Sequence, residues 1–330
     1  MRSDPSFVAV PQPITTAAKF TDPDITAKGE RRASVPLDRL ETLWINTGSL
    51  CNITCANCYI ESSPHNDRLV YLTRAEVAPL LDEASTLGTR EIGFTGGEPF
   101  LNPDIIGMLD DALARGFDVL VLTNAMLPMQ RRRLTTGLIE LKERYGTERL
   151  GFRVSLDHHT QALHEKERGP RTWQPTLAGI DWLARNGFAV AIAGRTCWGE
   201  MEAEARAGYG RLAADHDWPV DAADPRQLVL FPEMDDTTEV PEITTRCWDI
   251  LHKSPSDMMC ASSRMVVKRK GATQPTVVPC TLIPYASAFD MGPTLAAAAA
   301  ADGGMFDNGA VKLCHRHCAK FCVLGGGSCS

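Results

Sequence analysis

The sequence predicts an α/β protein built on an open parallel sheet, a partial barrel or a doubly wound one, with a small cysteine-rich region behind it. Three observations carry that prediction. Short apolar runs suited to buried strands recur at 43–47, 91–95, 118–123, 150–156, 188–193 and 227–231. Helical patterns fill the gaps, and such βα alternation implies parallel pairing with right-handed crossovers. The rhythm then stops at Pro232, where acidic residues, prolines and scattered cysteines replace it. Six runs fall short of the eight strands of a closed barrel.

Taken in order, residues 1–40 mix Pro, Thr, Asp and Lys without periodicity and read as an extension, flexible or wrapped over the surface. Residues 41–235 form the βα core. Its clearest helix opens at Thr73 with Glu76 three residues on, a capping box in which each side chain satisfies the other's end amide, and it stops at Gly88. Further helices are expected at about 103–115 and 172–186, stopping at Gly116 and Gly187. Residues 236–330 form a cysteine-rich domain in which the alanine run 296–301, followed by Asp302-Gly303-Gly304, reads as a short helix and turn. There is no internal repeat. In either sheet topology, functional groups belong at the C-terminal ends of the strands.

Composition narrows the partners. The 330 residues are 44% hydrophobic, too apolar for a disordered chain. With 34 Lys+Arg against 41 Asp+Glu the net charge is −7, which argues against duplex nucleic acid as the main partner. No run approaches the roughly 20 apolar residues of a membrane span. The N-terminus lacks an apolar stretch followed by a small-residue cleavage site. The expected location is the cytoplasm, with no membrane partner. In a reducing compartment the 11 cysteines have no disulfide role, which leaves metal ligation, nucleophilic chemistry or packing.

Cys51, Cys55 and Cys58 directly follow the first predicted strand. A structural zinc site wants four ligands. Three thiolates suit a [4Fe–4S] cluster in which one iron has no protein ligand and is free to bind a substrate or cofactor. CxxxCxxC followed by an aromatic, here Tyr59, resembles the signature of the radical S-adenosylmethionine (radical SAM) superfamily. Thr95-Gly96-Gly97-Glu98-Pro99 resembles that family's GGEP motif, which implies a cradle for the methionine amino group of S-adenosylmethionine. Paired glycines let backbone approach a ligand closely. Thr123-Asn124 resembles the family's T-N-G turn, with Ala125 in place of glycine. Ser155-Leu156-Asp157, with His164 and Arg168-Gly169 after it, resembles a segment whose serine contacts the ribose or carboxylate of the cofactor. Arg195 ends the fifth strand, where relatives place a residue facing that carboxylate. The expected cofactor contacts are thus Tyr59, Gly96, Gly97, Glu98, Asn124, Ser155 and Arg195. His158, His159 and His164 read as loop or helix-capping groups rather than metal ligands.

The second cysteine set comprises Cys260 and Cys280, at the outer ends of an expected hairpin, then Cys314, Cys318 and Cys322. It resembles the SPASM/Twitch extension, although the terminal spacing C-x3-C-x3-C-x6-C departs from the usual one. The resemblance implies at least one auxiliary [4Fe–4S] cluster on those five cysteines, with Cys247 and Cys329 in reserve. A structural zinc site, with His315 and His317 as further ligands, is the competing reading. Cys197, isolated beside the fifth strand, reads as a small buried apolar residue.

Together these resemblances imply a partial (β/α)6 TIM-like barrel carrying a cysteine-rich cluster domain. The implied enzyme reductively cleaves S-adenosylmethionine at a [4Fe–4S] cluster, and the resulting 5′-deoxyadenosyl radical abstracts hydrogen from a peptide or small-molecule substrate. It would draw electrons from a low-potential donor such as flavodoxin or ferredoxin. About 40 residues precede the core, too few for the separate leader-binding domain of many peptide modifiers. A non-catalytic iron–sulfur or zinc protein that senses redox state or metal accounts for the cysteines. It does not account for GGEP, Ser155 and Arg195 at strand ends.

Overall fold

The structure, a computed structural model, describes residues 18–232 and 239–325. Among them eleven strands form two sheets: β1 Ser34–Val35, β2 Thr42–Asn46, β3 Glu91–Thr95, β4 Asp118–Thr123, β5 Leu150–Ser155, β6 Ala189–Arg195, β7 Leu228–Phe231, β8 Ser263–Val267, β9 Thr276–Val278, β10 Phe306–Asp307 and β11 Ala310–Lys312. The large sheet has the order β7-β6-β5-β4-β3-β2-β8-β9. From β2 to β7 each strand lies beside its predecessor and parallel to it. A doubly wound sheet reverses its strand order at a switch point among its βα units; the six units from β2 to β7 never do. The topology is that of a partial barrel. The register pairs Asn46 with Thr95, Thr123 with Val154, Ser155 with Ala193, and Arg195 with Phe231, so the C-terminal strand ends share one rim.

The helices follow from local signals. Thr73 Oγ1 accepts from Glu76 N at 3.3 Å and Glu76 Oε2 accepts from Thr73 N at 3.0 Å, starting α1 (Arg74–Thr86) as its capping box predicts. α2 (Ile105–Ala114), α3 (Leu127–Gln130), α4 (Arg132–Tyr145), α5 (Gln161–Arg168), α6 (Trp173–Arg185) and α7 (Glu202–Asp215) complete the layer outside the sheet. Strand alternation sends Leu43, Ile45, Phe94 and Phe152 into a continuous sheet–helix core. Trp44, Met265, Val267 and Val278 form a second, smaller cluster with Leu120 and Leu122 packed against it.

The chain after the barrel does not stand apart from it. β8 joins the large sheet parallel to β2, and β9 returns antiparallel to complete the hairpin. The expected boundary at 235/236 lies outside the described residues. Within residues 18–40 of the expected extension, β1 pairs with β11, which pairs with β10. Buried Arg32 joins Glu242 at 2.6 Å and donates to Leu313 O at 3.3 Å, stapling the extension to the C-terminal region. Among the described residues no helix is long and apolar enough to cross a membrane.

Candidate functional site

The rim is built backbone first. Beyond β2 and β3 the ladder continues: Thr47 N donates to Thr95 O at 2.8 Å, Gly97 N to Gly48 O at 2.7 Å, and Glu98 N to Leu50 O at 3.0 Å. These bonds carry the loop into Cys51. They also explain the glycine pair. A Cβ on Gly97 would sit 2.1 Å from Leu50 O, and one on Gly96 2.6 Å from Gly48 O. The close backbone approach that these glycines permit is to the protein's own cysteine loop, while both residues also line the adjoining cavity.

A buried ionic group holds the rest of that loop. Glu167, at the end of α5, accepts from Asn57 N at 2.8 Å and Asn57 Nδ2 at 3.0 Å, and its carbonyl accepts from Ala56 N at 2.7 Å. Arg195 donates to Asn57 O at 2.8 Å. Asp157 lies 2.6 Å from Arg168 Nε and 3.4 Å from Arg195 Nε. Burial pushes Cys55 up, opposed by the Arg168 guanidinium. Cys51 is pushed up to about 12, by burial first and then by the Glu98 charge. As free thiols these groups stay protonated, so a bound metal must displace their protons.

Cys51, Cys55, Cys58, Tyr59, Gly96, Gly97, Asn124, Ser155 and Arg195 all line one cavity at the rim. Glu98 alone of the expected contacts does not line it. Its side chain lies behind the wall, where the carboxylate accepts from Thr123 Oγ1 at 2.8 Å, Asn124 N at 2.9 Å and Phe100 N at 3.1 Å. Burial raises its pKa against those three bonds. Glu98 therefore ties the glycine turn to the end of β4. Sequence reasoning did not assign Glu167, whose position late in a helix reads as solvated; Asp157 and Arg168 were visible only as neighbours of the serine motif.

Ala125, where the motif has glycine, adopts φ +55° and is fully buried. The left-handed conformation costs an L-residue about 1–2 kcal/mol. Ala125→Gly relieves that cost but deletes a buried methyl of similar worth, so stability is expected to stay within about 1 kcal/mol of the parent. Ala125→Val adds a β-branch at positive φ and is expected to lose more than about 2 kcal/mol. Urea midpoints check both.

The second cysteine set resolves into four and one. Cys318 feels Cys280, Cys260 and Cys322, and burial raises it well above the ordinary thiol range. Burial pushes Cys260 up to about 12, with Cys322 beside it. Cys322 is raised likewise, and the Met259 amide donates to it. Leu282 and Phe321, close in sequence to these cysteines, line the rim cavity. Cys314 lies elsewhere: its thiol donates to Asp22 O at 3.3 Å, and its charged neighbours are Arg32, Glu242, Asp22 and Asp24. Proximity in sequence to Cys318 does not bring it into the group. Cys247 accepts from Thr244 N at 3.3 Å, Cys197 is half-buried, and Cys329 lies outside the described residues.

Spacing bears on which metal fits. Zn–S bonds of about 2.3 Å place tetrahedral thiolates about 3.8 Å apart. Among the described residues, the one His/Cys/Asp/Glu group with three ligand atoms within 4.8 Å of one another is His158, His159 and Glu200. Neither cysteine set is drawn in around a single ion, whereas thiolates on separate irons of a cluster stand farther apart. His158 Nδ1 accepts from Thr160 N at 3.0 Å, which leaves its proton on Nε2, 2.8 Å from Glu200, and makes this ring a cap rather than a ligand. His164 is fully buried against Trp173, and burial pushes it down to about 4. His317 Nδ1 lies 2.9 Å from Leu282 O.

The profile of the radical SAM superfamily matches residues 45–200, the stretch that builds this rim. The chain contains a radical SAM domain. Such a domain is the catalytic part of enzymes that use a [4Fe–4S] cluster and S-adenosylmethionine, and the three thiols at the cavity fit that cluster. The radical SAM stretch is similar to the AdoMet-dependent heme synthase of Methanosarcina barkeri, 30% identical over 43% of this chain and 38% of that protein. It is also similar to the subtilosin biosynthesis protein AlbA of Bacillus subtilis, 32% identical over 51% of this chain and 35% of that one. The chain thus spans less than half the length of these curated relatives. In fold it resembles Streptococcus suis SuiB, solved with S-adenosylmethionine, at TM-score 0.57 and 13% identity over 80% of this chain and 66% of that chain.

Proposed function

We propose that this protein is a radical SAM enzyme acting on a C–H bond of a peptide or small molecule. The observation that carries this reading is that Cys51, Cys55 and Cys58 share one cavity with Gly96, Gly97, Asn124, Ser155 and Arg195. When bound, the cluster and S-adenosylmethionine supply one-electron cleavage of the sulfonium C–S bond, giving methionine and a 5′-deoxyadenosyl radical. The chain's own residues do the rest. Cys51, Cys55 and Cys58 hold three irons, Ser155 and Arg195 orient the cofactor's polar groups, and Glu98 fixes the turn that carries the glycines. Ile60, Leu122, Phe231, Leu282 and Phe321 give the same cavity an apolar side. That side suits an unactivated C–H bond and keeps water from the radical. Cys260, Cys280, Cys318 and Cys322 hold an auxiliary cluster. A cytoplasmic location and a flavodoxin- or ferredoxin-type donor belong to this proposal, as does the division at residues 40 and 235. The name of AlbA points to the biosynthesis of a bacteriocin and that of the heme synthase to a small molecule; the proposal covers peptide and small-molecule substrates alike.

The test is anaerobic reconstitution with iron and sulfide, followed by dithionite and S-adenosylmethionine. The loaded protein is expected to release 5′-deoxyadenosine, and Cys55→Ala to release none. A fully loaded protein that makes no 5′-deoxyadenosine, or a Cys55→Ala variant as active as the parent, overturns the reading.

A further inference from the structure

The four-thiol group has a buried cation beside it that no acid neutralises. Arg264, on β8, is 2% exposed. Its Nη1 donates to Cys260 O at 2.6 Å and Ser263 O at 2.8 Å, its Nη2 to Gly309 O at 3.3 Å, and its Nε has no hydrogen-bond partner. Among the described residues no carboxylate lies within ion-pair distance of it; the titratable groups that act on its charge are Cys260 and Cys280. Three carbonyl oxygens satisfy hydrogen bonds but bring no net charge. Removing a full charge from water costs several kcal/mol unless an opposite charge comes with it. Neutral thiols provide none. Thiolates on iron do.

We propose that Arg264 is the charge partner of an iron–sulfur cluster held by Cys260, Cys280, Cys318 and Cys322, and that it raises that cluster's reduction potential. The inference rests on the reading of those four thiols as a cluster site. Reduction adds negative charge to the cluster, and a fixed cation in a dry environment favours the added electron. Lys253 also acts on Cys322, but it is only half-buried and more screened. The buried guanidinium is therefore the stronger of the two influences.

The experiment uses the full chain with Cys51, Cys55 and Cys58 replaced by alanine, so that the C-terminal thiols alone hold a cluster. Iron and sulfide analysis and an EPR-monitored redox titration are then made on this parent, on Arg264→Gln and on Arg264→Lys. The glutamine variant is expected to lower the reduced-to-oxidised ratio at a fixed potential by about tenfold, a 59 mV negative shift for a one-electron couple. The lysine variant is expected to restore most of it. Loss of cluster assembly in Arg264→Gln with retention in Arg264→Lys also supports a role for the charge. An unchanged potential in a loaded Arg264→Gln protein overturns the inference and leaves the cluster reading standing. So does loss of the cluster in both variants, because shape rather than charge is then what matters. A parent that binds no iron overturns the cluster reading and the inference together.

Discussion

Gly97→Ala is expected to unseat the cysteine loop, destabilise the protein by about 3 kcal/mol and strip iron from the first site. The new methyl would sit 2.1 Å from Leu50 O, 2.5 Å from Leu50 C and 2.7 Å from Ser49 O. All three are backbone atoms, so no rotamer change makes room. The chain must separate, and separation lengthens the bonds from Gly97 N to Gly48 O and from Glu98 N to Leu50 O. Those bonds set the position of Cys51, the next residue along. Gly151→Ala serves as the control, because its nearest contact would be 3.9 Å away. Iron content, compared with the parent and with Gly151→Ala, reads the effect together with urea midpoints. Full iron loading and an unchanged midpoint in Gly97→Ala would show that the strand–loop contact does not position the thiols.

That contact also shows where sequence reasoning reaches and where it stops. The βα rhythm, the capping box at Thr73 and the Cys51–Cys58 spacing are local signals, and the barrel follows from them. Its direction of winding does not. The same six apolar runs suit a partial barrel or a doubly wound sheet, and strand order alone separates the two. β8 was legible as one arm of a hairpin but not as a member of the main sheet, because its parallel partner β2 comes from the other end of the chain. Glu98 was legible as a motif but not as the anchor of its own turn, since its partners Thr123 and Asn124 arrive from another strand. Cys314 is four residues before Cys318, which opens a helical turn, yet the chain turns it toward Asp22. Chain spacing constrains thiols within one loop far better than thiols brought together by folding.

Asp157→Asn tests the ionic group under that loop, with an expected loss of about 3–5 kcal/mol in the cluster-free protein. Asp157 is 3% exposed and lies within ion-pair distance of both Arg168 and Arg195. Asparagine keeps the shape and removes the charge. Glu167, 3.7 Å from Arg195, is then the remaining acid for that guanidinium, and among the described residues Arg168 keeps no acid within ion-pair distance. Arg168 also acts on the Cys55 and Cys51 thiols. If those thiols carry an anionic cluster when loaded, the loaded protein retains part of the missing countercharge. The loss on Asp157→Asn should therefore be smaller in the loaded protein than in the cluster-free one. Anaerobic urea unfolding of both forms measures the difference. Equal losses in the two forms would mean that Arg168 takes no countercharge from the cluster, and a loss below about 1 kcal/mol in both would mean that the buried pairs contribute little beyond their packing. The expected order, cluster-free more sensitive than loaded, follows from the position of one carboxylate between two arginines and three thiols.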